Sequence, residues 1–106
     1  MNVAENVYRV CLSLPQEEKF NLSSQMKRCA VSIPSNIAEG SSRNSDRDYG
    51  RFAEISLGSA FELETQLLIA KEIKYGNAAI VDSTLEMLAE EEKMLTAFIT
   101  TLSQNR

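Results

Sequence analysis

The chain has 106 residues, 43% hydrophobic and 25% charged, with a formal net charge of −4. That length suits a single domain, residues 1–106, around one hydrophobic core, and the balance excludes disordered and fibrous classes and argues against a general nucleic-acid binder. The chain has no histidine, which excludes His-dependent triads, HExxH zinc sites and di-iron ExxH bundles.

Helical spacing recurs throughout, and no segment alternates apolar and polar residues over six positions, so the fold class is all-α. Val3, Val7, Val10 and Leu14 recur at steps of four and three, predicting a short amphipathic helix stopped by Pro15. A loop from Pro15 to Leu22 follows. Ser23 or Ser24 is the expected cap of a second helix whose apolar line is Met26, Cys29 or Ala30, Ile33 and Ile37. Gly40 is expected to end it in the left-handed conformation open to glycine. Ser45 and Asp48 form a capping-box pattern that starts a third helix near Asp46. Phe52, Ile55, Leu57, Ala60, Phe61, Leu63, Leu67, Leu68 and Ala70 cover more than one stripe of that helix, and Gly76 with Asn77 is expected to close it. A fourth helix repeats Val81, Leu85, Leu88, Leu95, Ile99 and Leu102, a seam interrupted by Glu92, with Met87, Met94 and Phe98 as a second apolar line.

Four helices with short connections predict an up-and-down antiparallel four-helix bundle. The wide apolar stripes of the third and fourth helices point to a homo-oligomer, since a monomeric bundle buries one face per helix. No apolar run reaches the roughly 18 residues of a membrane span, and the MNVAENVYRV start is unlike a signal peptide, so a cytoplasmic protein without membrane partners is expected. Cys11 and Cys29 lie among apolar neighbours, as buried free thiols do. The four glycines make neither GxxxxGK nor GxGxxG. No catalytic residue, metal ligand, cofactor or small-molecule substrate is therefore expected.

The stretch CAVSIPSNIAEG, residues 29–40, places Pro34 inside the second helix, where it removes an N–H and presses on the carbonyl of Ala30. Ser32, Ser35 and Asn36 are read as local partners that repair a kinked helix. A turn centred near Arg43 would set Asn36 opposite Gly50 and Glu39 opposite Arg47, with Glu39 pairing Arg47 or Arg43. Charge is uneven: from Ser23 to Arg51 there are five basic residues, Lys27, Arg28, Arg43, Arg47 and Arg51, against three acidic ones. Arg43, Arg47 and Arg51 form the candidate phosphate-contacting patch, and Lys27 with Arg28 forms a second patch, paired with Glu62 or Glu64 on the next helix. The run Glu90, Glu91 and Glu92 reads as a solvated face, apart from Glu92 on the seam.

QMKRCAVSIPSNIAEGSSRNSDRDYGRF followed by EISLGSAFELETQL closely resembles the four helix bundle protein family, whose members are encoded within intervening sequences of bacterial 23S ribosomal RNA. The resemblance runs from about Leu14 to Leu68 and includes Gln25, Arg28, Ser32, Ile33, Asn36, Ile37, Ala38, Glu39, Gly40, Gly58, Ser59, Glu62 and Leu63. It implies a bundle that assembles as a ring-like homopentamer. A relative, the accessory variability determinant of diversity-generating retroelements, is a basic pentamer that binds nucleic acid and works with a reverse transcriptase. Lys27, Arg28 and Arg43 match basic positions of the family pattern, whereas the short first helix and the acidic net charge depart from it. The expected function is a non-enzymatic, homo-oligomeric binding module for structured RNA or a ribonucleoprotein partner. The alternative is a scaffold that binds protein alone.

Overall fold

The computed structural model describes residues 2–18 and 21–104. Among them the chain forms α1 (Val3–Leu12), a 3-10 turn (Gln16–Glu18), α2 (Leu22–Ser41), α3 (Asp46–Glu72) and α4 (Ala78–Gln104), with no strand. Each long helix packs on its chain neighbour, and α1 lies against both α2 and α4, closing a four-helix bundle measuring 46 × 22 × 21 Å. Helix length explains that shape: the 27 residues of α3 and of α4 span roughly 40 Å at 1.5 Å per residue.

The core follows the apolar spacing. Val3, Val7 and Val10 of α1 meet Met26, Cys29, Ala30 and Ile33 of α2, Ala60, Leu63 and Leu67 of α3, and Val81, Leu88 and Leu95 of α4. On α4 the buried apolar positions are Val81, Leu88, Leu95 and Leu102, seven residues apart, while Leu85, Glu92 and Ile99 on the adjacent line are half-buried. Cys11 and Cys29 are buried free thiols.

The helix ends differ from expectation in four places. α2 begins at Leu22, so the predicted loop ends a residue earlier and contains the 3-10 turn. Its N-cap is Asn21, whose side chain accepts from the Gln25 side-chain amide at 2.9 Å; Ser23 is buried instead, with its hydroxyl unpaired. Gly40 remains helical, α2 runs on to Ser41, and the glycine takes no left-handed conformation. Finally, α3 closes at Ile73 with Lys74 in the left-handed region at φ 61°, its N–H donating to Lys71 and that of Tyr75 donating to Ala70, a Schellman arrangement. Gly76, at φ 84°, turns the chain after that cap, and Asn77 caps α4 by accepting from the Ile80 N–H at 3.1 Å. Ser45 does cap α3, accepting from the Asp48 N–H at 3.1 Å.

With only ten residues, α1 spans about 15 Å and covers part of the channel between α2 and α4. Its first residues, Val3 and Ala4, lie beside Ala30, Pro34 and Glu91. Beyond them Ile37, Tyr49, Met94, Leu95 and Phe98 line an open apolar cleft that also reaches Glu91. Met94 is 63% exposed there, and the Tyr49 and Phe98 rings meet edge to face at 4.9 Å. α3 and its C-cap carry a second exposed apolar set, Ile55, Phe61, Leu68, Ile69 and the capping Ile73, within reach of solvent because the core occupies the opposite side of that helix.

Candidate nucleic-acid interface

α2 and α3 are joined near their middles by polar contacts. The Ser32 and Ser59 hydroxyls share a hydrogen bond of 2.8 Å, and the Asn36 amide donates to both the carbonyl and the hydroxyl of Ser32 at 2.9 Å. The buried Ser56 hydroxyl donates to the carbonyl of Ile33 at 2.8 Å. These contacts centre the α2–α3 turn near Ser45, two residues beyond the expected centre at Arg43. The shift follows from the continuation of α2 past Gly40. With the turn centred near Ser45, position 50 no longer lies opposite Asn36, whose amide is engaged one turn back along α2 by Ser32. α2 runs unbroken through Pro34, and among the described residues no side chain donates to the carbonyl of Ala30. Ser32 and Ser56 thus tie α2 to α3, Asn36 holds the Ser32 hydroxyl from within α2, and Ser35 is exposed, so none of them repairs the carbonyl freed by the proline.

Gly40 is explained by packing at the turn end of these two helices. A Cβ there would lie 2.8 Å from the Phe52 Cβ and 2.8 Å from the Tyr49 Cδ1, so only glycine permits the approach of α3. Gly58 is the opposite case: it lies exposed on α3, and a Cβ would meet nothing within 4 Å.

The basic residues fall into two groups at opposite ends of α2, which the structure does not bring together. Lys27 sits over the Tyr8 ring at 5.0 Å, while Arg28 is exposed. Neither makes the expected ion pair with Glu62 or Glu64. Those carboxylates face other groups: burial, then Glu62, pushes the Cys29 thiol up, and Glu64 faces Glu92. At the far end Arg43 pairs with Glu39 at 3.2 Å, and its guanidinium lies over the Phe52 ring at 4.8 Å. Of the two partners foreseen for Glu39, Arg43 is the real one. Arg47 and Arg51 are exposed, and among the described residues neither makes an ion pair.

Arg43, Asp48, Arg51, Phe52 and Ile55 surround a cleft of about 220 Å³ at this end. Sequence reasoning identified Arg43 and Arg51 and passed over Asp48, Phe52 and Ile55. A signal was present, because positions 48, 51, 52 and 55 share one helix face. What it lacked was the position of Arg43, which depends on where α2 stops.

Glu92 is the other perturbed group. It lies half-buried on the α3-facing line of α4, one carboxylate oxygen is buried without a hydrogen-bond partner, and burial, followed by the hydrogen bond and charge of Glu64, raises its pKa from 4.5 to about 7. Burial also pushes the Cys11 thiol up, although its contact with the Ser23 carbonyl and the Lys27 charge act against this. Among the described residues no three metal-ligating side chains converge, and no helix is long and apolar enough to cross a membrane.

Fold and surface together define a class: an elongated all-helical bundle with polar α2–α3 contacts, an arginine cluster at one end and apolar surface along its sides. Residues 1–97 match the family model for the 23S rRNA-intervening sequence protein. The chain belongs to that family. No curated protein matches it.

Proposed function

We propose that this chain is a non-enzymatic, homo-oligomeric binding module for structured RNA, working alone or within a ribonucleoprotein. The observation that carries the reading is the pair of exposed guanidiniums, Arg47 and Arg51, held one turn apart on α3 without carboxylate partners and next to Arg43. Charges left unpaired in this way are free to meet phosphate oxygens. Glu39, Asp46 and Asp48 stand beside the three arginines, so this end offers unpaired guanidiniums and not an excess of positive charge.

Assembly as a ring-like oligomer, with a pentamer as the expected form, is supported by two apolar surfaces that the fold leaves open. One is the cleft between α2 and α4 beyond α1, and the other is the exposed set on α3. Together they give the bundle more unpartnered apolar side chains than a solitary monomer needs. Several copies in a ring would repeat the arginine cluster on one surface and raise the effective affinity for an extended RNA. A cytoplasmic setting, where ribosomal RNA is met, is part of the same reading.

The test combines sedimentation equilibrium of the full chain with fluorescence anisotropy of labelled 23S ribosomal RNA fragments titrated with the assembled protein. Oligomeric protein that binds structured fragments at low salt supports the proposal. Assembled protein that binds none of them at low salt removes it and leaves the scaffold that binds protein alone.

A further inference from the structure

The cleft at the α2–α3 end has a chemistry more specific than positive charge. We infer that it binds an unpaired guanine base, with Asp48 reading the base edge and Arg51 and Arg43 supplying donors; this rests on the RNA-binding reading above.

Asp48 and Arg51 are three residues apart on one face of α3 and both line the cleft, yet they form no ion pair with each other. Neither side chain has another partner among the described residues. An acceptor-only carboxylate and a donor-only guanidinium therefore stand open on the same cavity. Guanine is the base that answers both groups. Its N1–H and N2–H form an adjacent donor pair for a carboxylate, and its O6 and N7 are the acceptors that arginine recognises in bidentate fashion. Adenine, uracil and cytosine each lack one of these two edges.

The remaining lining supplies stacking. Arg43 is held twice, by Glu39 at 3.2 Å and over the Phe52 ring at 4.8 Å, so a guanidinium plane and an aromatic ring are already fixed beside the cleft. Unpaired bases stack on such aromatic rings and guanidinium planes. Ile55, 53% exposed, adds an apolar contact. The cleft, about 220 Å³ and open to solvent on one side, has room for one base against these groups. Arg47, outside the cleft and one turn before Arg51 on α3, lies where the adjoining phosphate would pass.

The experiment uses full-length protein and hairpin RNAs of identical stem, with guanosine, inosine or adenosine at the central loop position, followed by anisotropy at fixed salt. Guanosine and adenosine monophosphates are titrated in parallel and followed by amide chemical shifts of the protein. The guanosine loop is expected to bind about tenfold or more tightly than the inosine loop, which lacks the N2–H pair, and than the adenosine loop. Asp48→Asn is expected to abolish that preference, and Phe52→Leu to weaken all three loops, with circular dichroism confirming the fold. Guanosine monophosphate shifting the amides of residues 48 to 55 while no hairpin binds would support the cleft as a free-nucleotide site and overturn the RNA reading alone. Equal binding of all three hairpins, unchanged by Asp48→Asn, would overturn the guanine inference and leave RNA binding intact. Absence of both hairpin and nucleotide binding would overturn both.

Discussion

Glu92 gives the sharpest test of the packing between α3 and α4. Its carboxyl lies on the α4 seam against Glu64, and its pKa rises from 4.5 to about 7 through burial first and Glu64 second. Between those values the folded chain holds a proton that the unfolded chain has released, so the contribution of Glu92 to stability is most favourable below about pH 4.5 and is lost as pH rises through 7. At about 1.4 kcal/mol per pH unit, that interval corresponds to roughly 3 kcal/mol. The side chain is only half-buried, and solvent screening reduces the expected effect to about 1–2 kcal/mol. Glu92→Gln keeps the shape and removes the charge. It should be neutral within about 0.5 kcal/mol at pH 4.5 and stabilise by about 1–2 kcal/mol at pH 8, a rise in Tm of roughly 5–10 °C for a domain of this size. The assay is thermal unfolding followed by circular dichroism across that pH range at one protein concentration. A difference between variant and parent that is the same at pH 4.5 and pH 8 would refute the reasoning, because Glu92 would then titrate as an ordinary surface carboxylate.

Three substitutions test other features of the fold by urea unfolding. Gly40→Ala forces a Cβ to within 2.8 Å of Phe52 and Tyr49 and should destabilise by about 1–2 kcal/mol despite the better helix propensity of alanine. Gly58→Ala enters open space and should stabilise the bundle by about 0.5–1 kcal/mol; equal effects at the two glycines would contradict the packing described. Lys74→Gly relieves a side chain held at φ 61° and should stabilise by about 0.5–1 kcal/mol, whereas a loss would mean that the lysine side chain contributes more than its backbone costs.

Local signals in the sequence were reliable where the physics is local. Ser45 with Asp48 marks the start of α3 because the cap is a bond across three residues, and the apolar repeat of α4 marks its buried line because helical spacing needs no partner. The interruption of that line by Glu92 was visible too. Its partner was not, since Glu64 faces it only through the register of α3 against α4. Gly40 shows the same limit: a glycine followed by SSRN reads as a helix stop, and its actual role depends on two aromatic side chains from the next helix. Reading a stop there displaces the turn by two residues, which is why Gly50 is not the residue opposite Asn36. At the basic end, the arginines were legible as charge, while the cleft around them was not, because the stacking of Arg43 on Phe52 is fixed only after the turn is closed. Lys74 as the left-handed residue of the α3 cap had no sequence signal, with Gly76 and Asn77 close by as better candidates by type.

The measurement that tests the account most directly is the salt dependence of RNA binding for the parent and two double variants, Arg47→Gln with Arg51→Gln and Lys27→Gln with Arg28→Gln. Removing one phosphate-binding side chain lowers the slope of log affinity against log salt by about one. The account predicts a slope shallower by about two for the Arg47 and Arg51 variant and by about one at most for the Lys27 and Arg28 variant, since the Lys27 ammonium is engaged with Tyr8 and only Arg28 is exposed and unpaired. A parent slope left unchanged by replacing Arg47 and Arg51 would contradict it, since the unpaired arginines at the α2–α3 end would then carry no phosphate.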